Sequence, residues 1–320
     1  MSKTYFEILR PGINTTIQDS GRNSLYHIGI TISGAMDQRN YKFANNIVNN
    51  KLNKAVIEFA YQGPLLKLRN GTINFVITGE VSFNLIRNNF QVEEGRCYQN
   101  YNLYDDEQID IISTKKSVYG YLSISGGFEL NETWKSYSIN TKAQIGPNNG
   151  KKYSMNEKIF VKESNIKNIK NIKNNKINYK DSFNNIIRVI KGTNFDYFSN
   201  QAQKTFFNKK YTVSRLVDRM GMRLDGPNLE NIVNTNIKSE GLVRGVIQVP
   251  ADGKPIILLS DHGTIGGYPK IAIVISADLD KISQLTPGTE INFKEVSLEE
   301  AENIFKAYNE ETNKYINESN

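Results

Sequence analysis

The sequence predicts a mainly β protein with a few helices. Short β-branched or aromatic runs, bounded by glycine or polar turns, recur along the chain. Regular helical crossovers between these runs are missing, which favours antiparallel barrels or sandwiches over a doubly wound parallel sheet. Two segments carry a clear helical period.

In chain order, residues 37–50 form the first of these segments. Asn40, Phe43, Ala44, Ile47 and Val48 fall on one side, and Asp37 is placed to cap the start. Strands are expected at Asn74–Thr78, Ile109–Ser113 and Gly120–Ser125, and Asn149-Gly150 reads as a hairpin turn. Residues 163–184 are rich in Asn, Lys and Ile without turn punctuation, the composition of a linker. Further strands follow at Ile186–Ile190, Gly245–Val249, Pro255–Leu259 and Ile271–Ile275. The second helix opens with a capping box, Ser297 to Glu300, and sets Ala301, Ile304, Phe305, Tyr308, Tyr315 and Ile316 along one face. The expected division is therefore a β-rich domain at 1–162, the linker at 163–184, a compact β domain at 185–296 and an amphipathic helix at 297–320.

Hydrophobic residues make up 38% of the chain and aromatics 10%, enough for a real core and against wholesale disorder. The net charge of +7 suggests nucleic acid at first sight, but the excess Lys is spread through Asn-rich segments. No zinc finger, RNP-type strand or base-reading basic helix accompanies it, so nucleic-acid binding is not expected. The single cysteine, Cys97, excludes a disulfide framework and points to a reducing compartment. No signal-like h-region and no apolar run of membrane-spanning length is present, so a soluble cytoplasmic protein is expected. His27 and His262 with one cysteine are too few for a zinc site of the usual kind, and no metal is expected. Gly146–Lys152 falls one residue short of a Walker A loop and lacks its Ser or Thr, and neither a Gly-x-Ser-x-Gly elbow nor a Rossmann fingerprint occurs.

The chemistry-bearing residues concentrate in three runs. Gln18-Asp19-Ser20-Gly21-Arg22 is followed by Ser33-Gly34-Ala35-Met36-Asp37. Asp19 and Arg22 could pair across the glycine turn; alternatively, Arg22 offers a fork to a carboxylate or phosphate beside Ser33. Arg215, Arg219 and Arg223 recur every fourth residue, as on one helical face, although Gly221 and Asp225-Gly226-Pro227 keep any helix short. On turns beside a sheet they would serve as anion anchors. Finally, Asp261-His262-Gly263-Thr264-Ile265-Gly266-Gly267-Tyr268-Pro269 follows an apolar strand, and its paired glycines let a ligand approach the backbone. His262 is a candidate general base or a loop histidine bonded to backbone. Asp261, its neighbour on an extended chain, points the other way and orients it poorly.

Together these runs resemble one family. Pro11-Gly12, Thr16–Arg22, Ser33–Asp37, Ala44-Asn45 and Glu58 look like its N-terminal signature. Asp218–Leu224, Ser239-Glu240-Gly241, Gly245–Pro250 and Gly266–Pro269 look like its C-terminal one. It is the family of the 5-oxoprolinase C subunit, also called the KipI antagonist or allophanate hydrolase subunit 2 type, similar to part of the carboxyltransferase domain of urea carboxylase. The resemblance, over about Phe6 to Val296, implies cyclophilin-like β-barrel domains and an obligate B-type partner subunit. With an A-type subunit the heteromer would open 5-oxoproline to L-glutamate, hydrolysing ATP to ADP and phosphate. Opening an unstrained lactam is uphill, so phosphorylating its amide oxygen gives ATP, with magnesium, a chemical role shared among the subunits. Arg22, Arg219 and Arg223 are expected as anion anchors, and Gln18, Asp19, Ser33, Asp37, Glu58, Gln248 and the loop Gly266, Gly267, Tyr268, Pro269 as the amide pocket. Asp261 and His262 are the expected proton handlers, and replacing Arg219 by Ala is expected to abolish activity while sparing the fold. Two alternatives stand beside this: a biotin-dependent carboxyltransferase acting on urea or a similar amide, with biotin on another chain, and a non-enzymatic antagonist of a KipI-type kinase inhibitor. The sequence departs from the family at Lys135, where an arginine is usual, at Glu80 and at Gly263.

Overall fold

A computed structural model describes residues 2–162, 175–180, 184–233 and 236–318, so most of the Asn/Lys-rich linker lies outside the described residues. The chain forms two compact units, one of Met1–Arg22, Ser33–Asp181 and Thr312–Asn320, the other of Asn23–Ile32 and Ser182–Glu311.

The first unit packs two antiparallel sheets around one core. The six-stranded sheet runs β11 (Lys158–Phe160), β1 (Tyr5–Arg10), β4 (Leu65–Arg69), β9 (Gln108–Thr114), β6 (Val81–Ile86) and β7 (Val92–Glu94). The five-stranded sheet runs β2 (Asn14–Gln18), β3 (Val56–Ala60), β10 (Tyr119–Ile124), β5 (Ile73–Thr78) and β8 (Asn100–Leu103). In β6 the buried Val81, Phe83 and Leu85 alternate with half-buried neighbours, the period-two pattern of a strand covered on one face. They meet Phe6, Phe59, Phe75 and Leu122 in the shared core. By contrast β3, β5 and β10 are buried at every position, because α1 (Gln38–Ile47) covers their second face. Asp37 caps α1 as its sequence suggests, accepting from Asn40 N.

The second unit is a closed barrel in the order β12 (Ile186–Lys191), β19 (Lys270–Val274), β16 (Val246–Gln248), β17 (Ile256–Leu258), β14 (Gly221–Asp225), β13 (Tyr211–Val217) and β20 (Glu290–Glu295). The parallel pairing of β12 with β20 closes it. A two-stranded flap of β15 (Glu240–Gly241) and β18 (Ile265–Gly266) lies over Val246 and Leu258 through Leu242. Among the described residues, the barrel expected at 185–296 is found in this unit, while the first unit, expected as β-rich, pairs two open sheets. Two helices carry no clear signal in the sequence. One is α2 (Asn200–Asn208), capped by Ser199 and pressing Phe206 onto Phe293 with ring centroids 4.4 Å apart. The other is the short α3 (Leu279–Ser283).

The structure resolves one open reading of the sequence and revises the division of the chain. The arginine repeat lies on strands and a turn beside a sheet and not on a helical face: Arg215 lies on β13 and Arg223 on β14, and Arg219 sits in the turn that joins them. Residues 23–32 belong with the second unit, where Thr31 Oγ1 donates to Ser260 O at 3.1 Å. The C-terminal helix, α4 (Leu298–Glu318), is not a separate appendage. Ser297 and Glu300 make both bonds of the capping box, and Ala301, Ile304 and Tyr308 pack with Ile275, Ala277 and Val296 of the second unit. From Thr312 onward it belongs to the first unit, where Ile316 O accepts from Asn46 Nδ2 at 3.0 Å.

Truncating Phe206, fully buried against Phe293, should cost about 3–5 kcal/mol. The midpoint of chemical denaturation for Phe206→Ala checks this.

Candidate active site

In the first unit the polar run at the end of β2 becomes a buried hydrogen-bond hub. Gln18 is fully buried and donates from Nε2 to Thr16 Oγ1 at 3.0 Å and to Ile139 O at 2.9 Å. The Asp19 side chain then accepts from Gly21 N at 2.8 Å, Ser136 Oγ at 2.8 Å, Ser138 Oγ at 2.6 Å and Tyr137 N at 2.7 Å. These donors replace the water that a carboxylate loses on burial. Gly21 N comes from Asp19's own loop, and the other three donors come from the end of a tight turn, Thr133–Ser136, and the two residues after it; in that turn Trp134 and Lys135 both take left-handed φ. Lys135, the departure from the family's arginine, is exposed in that turn. Arg22 is buried with Nη2 donating to Ser138 O.

The Ser33–Asp37 loop is stitched to β3 and β10. Ser33 accepts from Asn140 Nδ2 at 3.2 Å, Met36 N donates to Glu58 Oε2 at 2.8 Å, and Asp37 N donates to the Tyr121 hydroxyl at 2.7 Å. Burial first, then the Glu58 and Asp37 carboxylates, hold the Tyr121 phenol well above its ordinary range. Gly34 is required here: its φ is +82°, and a Cβ would stand 2.9 Å from Gly21 N. Gln18 and Glu58 thus lie on β2 and β3, Asp19 and Arg22 in the segment that follows β2, and Ser33 and Asp37 in the loop entering α1.

In the second unit, Arg219 and Asp261 form a bidentate pair, Nε to Oδ2 at 2.8 Å and Nη2 to Oδ1 at 3.2 Å. Their side chains are 6% and 3% exposed, and Asp261 N also donates to Arg219 O at 2.8 Å. Arg219 therefore anchors a carboxylate of its own chain, and Asp261 is committed to that pair. Arg223 likewise pairs with Asp252. His262 is buried, with Nδ1 2.6 Å from Gly263 O and Nε2 3.2 Å from the Tyr26 hydroxyl. Burial dominates in pulling the imidazole below its ordinary value.

Gln248, on β16, donates to Tyr268 O at 3.3 Å. Gly266 crosses its amide so closely that a Cβ would lie 3.0 Å from Gln248 Nε2 and 2.7 Å from Leu242 Cδ1. Gly267 O accepts from Ile237 N and Pro269 O from Val249 N, so backbone bonds fix the loop at both ends. Sequence reasoning missed Lys270, a buried lysine opposite Gln248 that pairs with Glu240 at 2.5 Å. Its signal was a cation opening an apolar strand directly after Pro269. Tyr26, Ser136 and Ser138 were missed as well. The structure brings Arg219, Asp261 and His262 together, and separately Gln248, Lys270 and the flap loop.

The expectation that Arg219→Ala spares the fold is revised by this geometry. Leaving Asp261 buried and unpaired should destabilise the chain by about 3–5 kcal/mol, and adding Asp261→Ala should recover part of that loss. Urea titration of the single and double variants checks the coupling. The lowered His262 value carries a second prediction. The unfolded chain takes up the imidazole proton first, so this contribution is present above about pH 6.5 and is lost as pH falls below it. Between pH 7.5 and 5.5 the wild type should lose more stability than His262→Gln does.

A profile of the carboxyltransferase domain, subdomain A and B, matches residues 28–295. The chain is 32% identical to the C subunit of 5-oxoprolinase from Haemophilus influenzae and 28% identical to that from Escherichia coli, covering 92% of this chain and 92% of each relative. Among solved structures, the urea amidolyase of K. lactis matches 98% of this chain with a TM-score of 0.87 and 25% identity, over 20% of that larger protein. The chain belongs to the carboxyltransferase domain A and B family.

Proposed function

We propose that this chain is the C subunit of an ATP-dependent 5-oxoprolinase. It works in a heteromer with a B-type and an A-type subunit, opening 5-oxoproline to L-glutamate. The observation that carries the reading is similarity to the C subunits of two 5-oxoprolinases along nearly the whole of both chains. The site's chemistry supports it. Burial pushes the Cys97 thiol up to about 11, so it is not a thiolate at neutral pH. The candidate site offers amides, paired cations and one histidine, which suit holding and polarising a small amide more than acyl-enzyme chemistry. In this reading Gln248 and the Gly266–Pro269 backbone hold the lactam, and His262 handles protons. ATP, with magnesium, is the co-substrate shared with the partner subunits. Arg219 and Arg223 order the loops by pairing with Asp261 and Asp252.

The likeness to urea amidolyase favours one second reading, a carboxyltransferase component acting on urea or a related amide with biotin on another chain. Mixing this chain with its partner subunits, 5-oxoproline and ATP-Mg should release ADP and glutamate together, and omitting this chain should stop both. A complex that forms without ADP release, yet transfers a carboxyl group from a biotinylated carrier to urea, would replace the first reading with the second.

A further inference from the structure

We propose that Tyr26 positions His262 for proton transfer and forms the outward end of a Tyr26–His262 relay, an inference that rests on the amide-opening reading above. His262 Nδ1 lies 2.6 Å from Gly263 O. A carbonyl oxygen can only accept, so Nδ1 carries the proton and the neutral ring keeps its lone pair on Nε2. That nitrogen is 3.2 Å from the Tyr26 hydroxyl, which therefore donates to it. The two rings stand 6.1 Å apart between centroids.

Tyr26 opens the 3₁₀ turn Tyr26–Ile28, within the segment 23–32 that belongs to the same unit as His262. Thr31 Oγ1 ties that segment to Ser260 O at 3.1 Å, two residues before the histidine. His262 is 2% exposed and Tyr26 only half-buried, so the tyrosine is the more accessible member of the pair. The charged groups around the ring are Asp261, which favours its protonation but is paired to Arg219, and Arg244, which opposes it. Burial, in the same direction as Arg244, outweighs the Gly263 carbonyl and Asp261 and keeps the resting ring neutral.

The step balances without any further reagent. A proton leaving a substrate-side group bonds to the Tyr26 oxygen as the tyrosine's own O–H bond breaks and an N–H bond forms at Nε2. The buried imidazolium is disfavoured, so the transfer then runs backward onto the leaving nitrogen and restores the starting pair. His262 is thus not a base that meets substrate directly; Tyr26 connects it.

The chain has two histidines, His27 and His262, so imidazole ¹⁵N spectra of the full chain resolve both, with His262→Gln as the assignment. The wild type should show His262 protonated at Nδ1. Tyr26→Phe keeps the ring and should keep the fold. It removes a donor to the neutral imidazole, so the Nε2 resonance should move and the His262 titration midpoint should rise. In the reconstituted complex the same variant should lower kcat by about 10²–10⁴-fold with KM little changed, and adding His262→Gln should cost little more. An unchanged Nε2 resonance and midpoint, or full kcat in Tyr26→Phe, overturns the relay. A wild-type complex without turnover overturns the functional reading instead, and the spectra alone then decide whether Tyr26 holds Nε2.

Discussion

Asp261 is 5% exposed, and a carboxylate removed from water that far must be matched by donors of comparable strength. Arg219 supplies two of them from its side chain, while its carbonyl takes the Asp261 amide proton. A side-chain fork and a backbone bond between the same two residues leave little freedom for either loop. The turn joining β13 to β14 and the loop after β17 are thereby locked together. His262 inherits its position from that lock, and the Gly263 carbonyl then fixes its tautomer. The site's candidate proton carrier is placed by an ion pair that takes no part in the proton transfer.

Asp19 meets the same constraint in a different way. Its donors are two serine hydroxyls and two backbone amides, with no charge transferred to a neighbour by any of them. Such a hub ties β2 to the segment 136–138, because hydroxyls and amides reach only over hydrogen-bond distance and so demand one register. The second unit prefers cation–carboxylate pairs, Arg219 with Asp261 and Lys270 with Glu240, and the two differ in burial. Asp261 is enclosed, whereas the Glu240 side chain is 42% exposed and its carboxyl is held below the ordinary range mainly by Lys270. Solvent screening weakens the second pair. The flap carrying Glu240 is accordingly tethered by a looser bond than the loop carrying His262.

Much of the fold was legible because its signals are local. Strand alternation, the Asp37 cap and the Ser297–Glu300 capping box are written within a few residues of where they act. The helix α2 escaped because Asn200–Asn208 is polar and aromatic in composition, with its period visible only once Ala202 and Phe206 are known to be buried. The arginine repeat left helix and hairpin open because a spacing of four fits both, and Gly221 decides between them through its pairing with Leu258. For the candidate site, glycine-rich runs announced where the loops are. They could not announce partners: Arg219 and Asp261 are 42 residues apart, and Ser136 and Ser138 lie 117 and 119 residues from Asp19. Serines carry no local mark of such a role. Tyr26 was hidden for a further reason, since its segment precedes α1 in sequence yet packs with the barrel.

The polar groups that define the His262 neighbourhood are each held by a bond that predates substrate. Nδ1 has Gly263 O, Nε2 has Tyr26, Asp261 has Arg219, and Thr31 has Ser260 O. Dipoles fixed in this way need not reorganise when charge develops, which is where preorganised sites gain over water. The same fixity limits what the ring can do alone. With one nitrogen bound to a carbonyl and the other to a hydroxyl, moving the imidazole onto a substrate would break two bonds inside a buried pocket. Passing a proton through the tyrosine breaks neither heavy-atom contact. A buried histidine and a half-buried tyrosine therefore make a more economical proton carrier together than the histidine could by moving.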